Sequence, residues 1–168
     1  MSFTAAQPED LLFDAARRGD VAALKELLAT GLLINTANAK GFTPLILTAY
    51  DNHLDATKFL LEAGADPNAQ DASGNTALMG VSFKGYPEIA RQLIRHGADL
   101  DLQNGNGGTA LMFATMFGRN ELVKLLLDAG AAATIQDFRG QTALHLAAQQ
   151  GNEGAWALLG GEPAEAEE

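Results

Sequence analysis

The sequence contains no cysteine, which excludes disulfide bonds, thiolate metal sites and cysteine nucleophiles. It has no charge-free apolar stretch long enough to span a bilayer. Residues 1–10 also lack the basic start and apolar core of a secretion signal. We therefore expect a soluble cytoplasmic protein that does not use a membrane as its partner.

Basic residues are scarce: 11 lysines and arginines stand against 21 aspartates and glutamates, for a net charge of −10. An acidic surface repels a phosphate backbone, so we expect no nucleic-acid partner. Aromatic residues make up only 7% of a chain that is 47% hydrophobic, and alanine and leucine supply most of the rest. This composition favours helices.

A T-[PA]-L triplet recurs along the chain at intervals of 33 residues. Its threonines are Thr43, Thr76, Thr109 and Thr142. Glycines keep the same interval at Gly41, Gly74, Gly107 and Gly140, and again at Gly31, Gly64, Gly97 and Gly130. Chance does not align three independent series, so an internal repeat organises the chain.

Each repeat carries the signals of two short helices. The threonine is a helix cap, and the proline or alanine after it suits the first helical position. A third series marks a turn, at Gly19, Asn52, Gly85, Gly118 and Gly151. A leucine-rich segment then ends at a glycine, which is typical of a helix C-terminus. The pattern predicts a helix-turn-helix unit followed by a loop.

These residues resemble the ankyrin repeat family, and in particular its small stand-alone bacterial members. The pattern is clearest in G-A-D at residues 64–66 and 97–99 and in T-A-L-H-L-A-A at residues 142–148. The resemblance implies an all-α ankyrin-repeat solenoid over residues 1–161, with units at about 8–38, 39–71, 72–104, 105–137 and 138–161. The first and last units depart from the pattern and are expected to be polar end caps. Residues 162–168 are expected to form a disordered acidic tail.

Two leucine series should build the core, because each recurs at one place in the repeat. The inner series is Leu12, Leu45, Leu78, Leu111 and Leu144, and the outer series is Leu27, Leu60, Leu93, Leu126 and Leu159. A single unit cannot cover its own apolar face, so these leucines are expected to be buried against neighbouring units.

Several motifs that suggest a ligand are explained by the repeat. Residues 105–110 read G-x-G-x-x-A, but the strand that a dinucleotide site needs does not precede them. Residues 99–104 begin like a calcium loop without its glycine, and the closing glutamate is also missing. The three histidines lie more than one repeat apart, and the family resemblance implies that His145 bonds between adjacent loops. We expect no cofactor, no metal and no catalytic residues.

The family resemblance also implies that inner helices and loop tips form a concave surface that binds a partner. The residues on this surface that are predicted to bind the partner are Phe42, Tyr50, Phe83, Lys84, Met116, Phe117, Phe138 and Arg139. Six of these are large and apolar, and aromatic residues and methionine are types that anchor interfaces. Phe83 and Phe117 are expected at the centre, as equivalent positions of the two middle repeats. The alternative is that they fold inward to fill space beside small residues such as Gly80.

The sequence thus favours a monomeric, non-catalytic adaptor or regulator that binds a protein partner. Two other hypotheses stay open. The chain could be an enzyme or small-molecule sensor with a polar pocket between repeats, or it could self-associate through the aromatic residues of the concave surface.

Deleting residues 162–168 should leave the thermal unfolding curve nearly unchanged. Four glutamates without a large apolar residue cannot bury enough surface to offset the cost of ordering. Circular dichroism melts of the full and shortened chains measure the effect. A cooperative loss of structure on deletion would show instead that the tail docks on the last repeat.

Overall fold

The computed structural model describes residues 6–162, so the predicted tail beyond Glu162 lies outside the described range. All regular secondary structure in this range is helical, which confirms the predicted all-α fold. The helices are α1 (Pro8–Arg18), α2 (Val21–Ala29), α3 (Pro44–Tyr50), α4 (Leu54–Glu62), α5 (Ala77–Lys84), α6 (Pro87–Arg95), α7 (Ala110–Met116), α8 (Asn120–Asp128), α9 (Ala143–Gln149) and α10 (Glu153–Leu158). None of them is long and apolar enough to cross a membrane.

The helices stack in two rows. Each odd-numbered helix packs on the next odd-numbered helix, and each even-numbered helix on the next even-numbered one. We call the odd-numbered helices the inner helices and the even-numbered helices the outer helices. One inner and one outer helix, joined by a tight turn, make each unit of the stack.

Every inner helix after the first is preceded by a threonine that caps its N-terminus. Thr43 has extended backbone, and its hydroxyl accepts a hydrogen bond from the backbone N–H of Ile46 at 3.3 Å. Pro44 follows at the first helical position. Thr76, Thr109 and Thr142 cap α5, α7 and α9 in the same way. These caps start the inner helices at the same point of each unit, so equivalent side chains recur in equivalent places.

The leucine series are buried as predicted, except near the ends of the stack. Leu12, in the first described unit, is fully buried, whereas Leu144, in the last described unit, is only half-buried. The inner leucine is therefore covered by the unit that follows it. In the outer row the two terminal leucines are half-buried and the three middle ones are fully buried.

The loops between units end in tight hairpins held by one side chain each. The side-chain oxygen of Asp71 accepts hydrogen bonds from the backbone N–H groups of Ser73 at 2.8 Å and Asn75 at 2.9 Å. Equivalent bonds are made by Asn38, Asn104 and Asp137. Such a local bond offers the backbone a turn conformation without needing a strand partner.

Consecutive hairpins also touch. The backbone N–H of Gly105 donates to the carbonyl of Ser73 at 2.9 Å, and similar bonds join the hairpins on either side. Gly74 makes this approach possible. Its φ is +80°, and a Cβ there would lie 2.9 Å from the nitrogen of Gly105. A side chain at Gly74 would therefore be both strained and in collision with the next hairpin.

A second set of bonds holds three inner helices, α1, α5 and α7, to the unit that follows each of them. Arg119 Nε donates to the carbonyl of Phe83 at 3.1 Å, at the end of α5. His53 and Asn152, at equivalent positions of their units, bond the carbonyls of Arg17 and Thr115. Carbonyls at a helix C-terminus lack partners within the helix, so these side chains satisfy them and fix neighbouring units together.

Leu111→Ala should lower the free energy of unfolding by ~2–5 kcal/mol, because Leu111 is fully enclosed and its loss leaves a cavity. Leu144→Ala makes the same chemical change at the equivalent but half-exposed position, and should cost only ~1–2 kcal/mol. Urea denaturation of both variants measures the difference. Equal losses would contradict the conclusion that the following unit covers the inner leucine.

Candidate functional site

The inner face is the surface formed by the inner helices α3, α5, α7 and α9 together with the hairpin tips 39–42, 72–75, 105–108 and 138–141. All eight residues predicted to bind a partner lie on these elements or immediately after one of these helices. They do not form one continuous stripe. Seven of them line two cavities of about 440 Å³ each, and Lys84 lines neither.

The first cavity lies among α3, α5 and α7, below the hairpin at 71–75. Five aromatic rings line it: Phe42, Tyr50, Phe83, Phe113 and Phe117. Its volume falls within the range of about 300–1,000 Å³ that is typical of ligand sites. Four of the five rings belong to the predicted set, and Phe113 does not.

The ring of Phe117 packs against two other rings of this cavity. Its ring meets that of Phe83 edge to face, with centroids 4.6 Å apart and planes at 86°. It also lies nearly parallel to Phe113, at 6.4 Å. Edge-to-face and offset parallel pairs are the favoured aromatic geometries. Phe117 nevertheless keeps 43% of its surface exposed, so a partner can still contact it.

The prediction that Phe83 and Phe117 occupy equivalent positions is wrong. A step of 33 residues relates Phe83 to Met116, and relates Phe117 to Lys84. The two rings meet because Phe83 is the last-but-one residue of α5, whereas Phe117 directly follows the end of α7. Adjacent positions of neighbouring helices, rather than equivalent ones, bring them together.

Lys84 is held against the same cluster. Its ammonium lies 4.9 Å from the centre of the Tyr50 ring, within the range of a cation–π contact. Lys84 is half-buried, and Tyr50 keeps 41% of its surface exposed. The lysine thus covers part of the aromatic surface, in addition to offering a charge to a partner.

The second cavity contains the remaining predicted residues, Met116, Phe138 and Arg139. Phe138 is 75% exposed on its hairpin tip, the most exposed aromatic side chain among residues 6–162. Phe113 lines this cavity too and therefore stands between the two. Sequence reasoning missed Phe113 because its register position is occupied by core residues Leu47 and Leu146 in other units.

Charge on the second cavity comes from Asp137 and Arg139. Arg139 donates to the second carboxylate oxygen of Asp137 at 3.3 Å, while the first accepts the hairpin bonds. The backbone N–H of Gln141 donates a hydrogen bond to Asp137 and thereby lowers the pKa of this carboxyl below its ordinary value. The hydrogen bonds and the positive charge of Arg139 lower this pKa further. Asp137 therefore stays ionised at neutral pH.

The residues that suggested metal sites have structural partners instead. Asp101 accepts a bond from the backbone N–H of Ala132 in the next loop at 2.9 Å. His145 Nδ1 accepts a bond from the backbone N–H of Thr142 in its own unit, so the expected bond between adjacent loops is wrong for this histidine. Among residues 6–162 no three histidine, aspartate or glutamate side chains gather as a metal site requires.

Comparison with known families agrees with the stack of helix pairs. A family model described as "Ankyrin repeats (3 copies)" matches residues 12–104 and again residues 78–167. The chain belongs to the ankyrin repeat family. A search of curated proteins finds no significant match. Ankyrin repeats are generally protein–protein interaction modules and are typically non-catalytic, which is the general function that the sequence analysis predicts.

Asp137→Asn should reduce the loss of stability of this ankyrin domain in acid. The folded pKa of Asp137 is lowered, so its contribution is complete above the unfolded pKa of about 3.9 and is lost as pH falls through the folded value. Asparagine can keep both hairpin bonds, as Asn38 and Asn104 show. Urea midpoints between about pH 7 and about pH 3 test this. The same pH slope in both proteins would contradict it.

Proposed function

We propose that this ankyrin domain is a cytoplasmic, monomeric, non-catalytic adaptor or regulator that binds a protein partner through its inner face. The contacts assigned to the partner are the eight predicted residues, with Phe113 added. Because the chain is strongly acidic, neither nucleic acid nor an anionic membrane is proposed as a partner.

The observation that carries the proposal is where exposed aromatic side chains lie. Among residues 6–162, six large hydrophobic side chains are strongly exposed. Three are leucines on other parts of the stack, at Leu11, Leu33 and Leu158. The three aromatics, Tyr50, Phe117 and Phe138, all lie on the inner face. Clustered exposed aromatics are typical of protein interfaces, whereas scattered leucines are normal on any surface.

The inner face is also held in place before a partner arrives. Backbone bonds join consecutive hairpins, and Arg119 fixes the end of α5, where Phe83 lies. A side chain held by its own domain loses little freedom on binding, so more of the contact energy remains as affinity. Preorganisation of this kind supports a binding role for the face.

The chemistry of the first cavity bears on the enzyme hypothesis. Its lining is largely apolar and includes one residue that is charged at neutral pH, Asp71. An activated nucleophile needs an adjacent base within hydrogen-bond reach, and a lining dominated by aromatic and aliphatic side chains does not favour one. Binding of apolar groups is therefore the function that the lining favours.

Phe117→Glu should weaken partner binding at least tenfold, because it removes an apolar anchor and places a charge against Phe83 and Phe113. The folded state should lose only about 1–2 kcal/mol, since the ring is partly exposed. Partners captured from native extract with the wild-type domain, then purified, provide the binding measurement by calorimetry.

Leu158→Glu is the matched control. It makes the same kind of substitution at a side chain of nearly equal exposure, 41%, on the outer helix α10. This variant should bind the purified partner normally. The inner-face assignment would be wrong if Phe117→Glu bound as well as Leu158→Glu. Light scattering of the isolated domain tests self-association, and a dimer that Phe117→Glu dissolves would replace the proposed partner with a second copy.

A further inference from the structure

One position on the inner face breaks the register. The fourth residue after each threonine cap is Leu47, Phe113 and Leu146 in three of the units, but it is Gly80 in α5. The two leucines are buried and the phenylalanine is half-buried. These equivalent positions form a row of large apolar side chains along the inner helices, and at Gly80 the side chain is missing from this row. Glycine also weakens a helix interior, so nothing in helix formation favours it here.

The first cavity lies at this missing side chain. Gly80 lines it together with Leu47 and Phe113, the residues that precede and follow it in the row. The ring of Tyr50 leans over the glycine, so that a Cβ at Gly80 would lie 3.2 Å from Tyr50 Cδ2. Even one added carbon would press on the ring, and a larger side chain would take up the cavity.

Among the described residues that line this cavity, Asp71 is the one acidic residue and none is basic. One of its carboxylate oxygens accepts the two hairpin bonds from Ser73 and Asn75. The other, Oδ2, has no hydrogen-bond or ion-pair partner among residues 6–162, whereas the equivalent oxygen of Asp137 is paired with Arg139. A negative oxygen is therefore available beside an aromatic cavity.

We propose that the first cavity binds one large apolar side chain, of the size of leucine or phenylalanine, from an extended segment of the partner, and that the adjacent residue of that segment is basic. The apolar side chain enters the cavity beside Gly80 and the Tyr50 ring, in space that a larger residue at position 80 would take up, and the basic group meets Asp71 Oδ2. This inference rests on the proposed function of the inner face and specifies the partner's chemistry.

The cavity favours an apolar group over a cation as the inserted side chain. Its lining includes the apolar side chains of Ile46, Leu47 and Met79, which offer a charge no compensation. One cation, the ammonium of Lys84, already lies on the Tyr50 ring and would repel a second. The basic group of the partner is therefore placed at Asp71, where its charge is matched, and not among the rings.

Capped dipeptides test the proposal without a known partner. The probes are N-acetyl-Phe-Arg-amide, N-acetyl-Phe-Glu-amide and N-acetyl-Gly-Arg-amide, titrated into the methyl-labelled domain while the Met79 and Ile46 methyl signals are followed by NMR. Phe-Arg should shift these signals saturably, and Phe-Glu should bind about fivefold more weakly. Gly-Arg should not shift them. No shift with Phe-Arg, or equal shifts with Gly-Arg, would overturn the proposal.

Two variants assign the binding to the named residues. Gly80→Leu supplies the missing side chain and should abolish the shifts by Phe-Arg, with the smaller Gly80→Ala as a second variant if Gly80→Leu does not fold. Asp71→Asn can keep the hairpin bonds, as Asn38 and Asn104 do, and should bind Phe-Arg and Phe-Glu equally. A folded Gly80 variant that binds Phe-Arg normally would overturn the proposal.

The outcome is separable from that of the proposed function. If the dipeptide shifts the cavity methyls but the captured partner tolerates Phe117→Glu, the cavity binds apolar side chains and the inner-face function is wrong. If Phe117→Glu loses the partner while no dipeptide binds, the inner face is the partner site and the cavity proposal is wrong.

Discussion

The structure depends on one constraint: a two-helix unit cannot cover its own apolar face. Each inner leucine is buried only because another unit follows, as the contrast between Leu12 and Leu144 shows. The free energy of folding is therefore gained at the contacts between neighbours and not within units. Those contacts require the units to repeat closely in shape, and this explains why the threonine caps of α3, α5, α7 and α9 and the hairpin bonds recur at one interval.

Regular stacking separates positions that hold the units together from positions that are free to vary. The core residues and caps are fixed by the contacts between units, whereas residues at the hairpin tips and at the ends of the inner helices face outward. Phe138, at 75% exposed, contributes little to the stack, so its identity can be set by a partner. Under the proposed function, positions of this kind carry the specificity for the partner, because the remaining positions of the domain are committed to stability.

Sequence reasoning succeeded where a residue's role depends on local geometry. The caps at Thr43 and its equivalents, the helix pairs and most of the buried leucines follow from periodicity and helix-end chemistry alone. It failed where the role depends on how side chains of neighbouring helices meet. Nothing in the repeat pattern places Phe117 against Phe83 across a one-residue offset, or places Phe113 between two cavities. Such contacts depend on the rotamers and separations of adjacent helices, which one sequence does not specify.

Gly80 belongs to both kinds of position. It occupies a regular place in the stacked helices, and it also determines the shape of the inner face. A leucine or phenylalanine there would continue the row and favour the helical conformation of α5, but it would have to displace the Tyr50 ring. The absence of a large side chain at position 80 lowers the stability of a central unit, which packs against a neighbouring unit on each side. The neighbours α3 and α7 are held to α5 by their own buried leucines, so the stack tolerates a gap at this point. In a terminal unit, with support on one side only, the same gap would weigh more heavily on folding. The binding of an apolar side chain that we propose needs an open cavity, and a central unit is where such a cavity costs the stack least; Gly80 lies in such a unit.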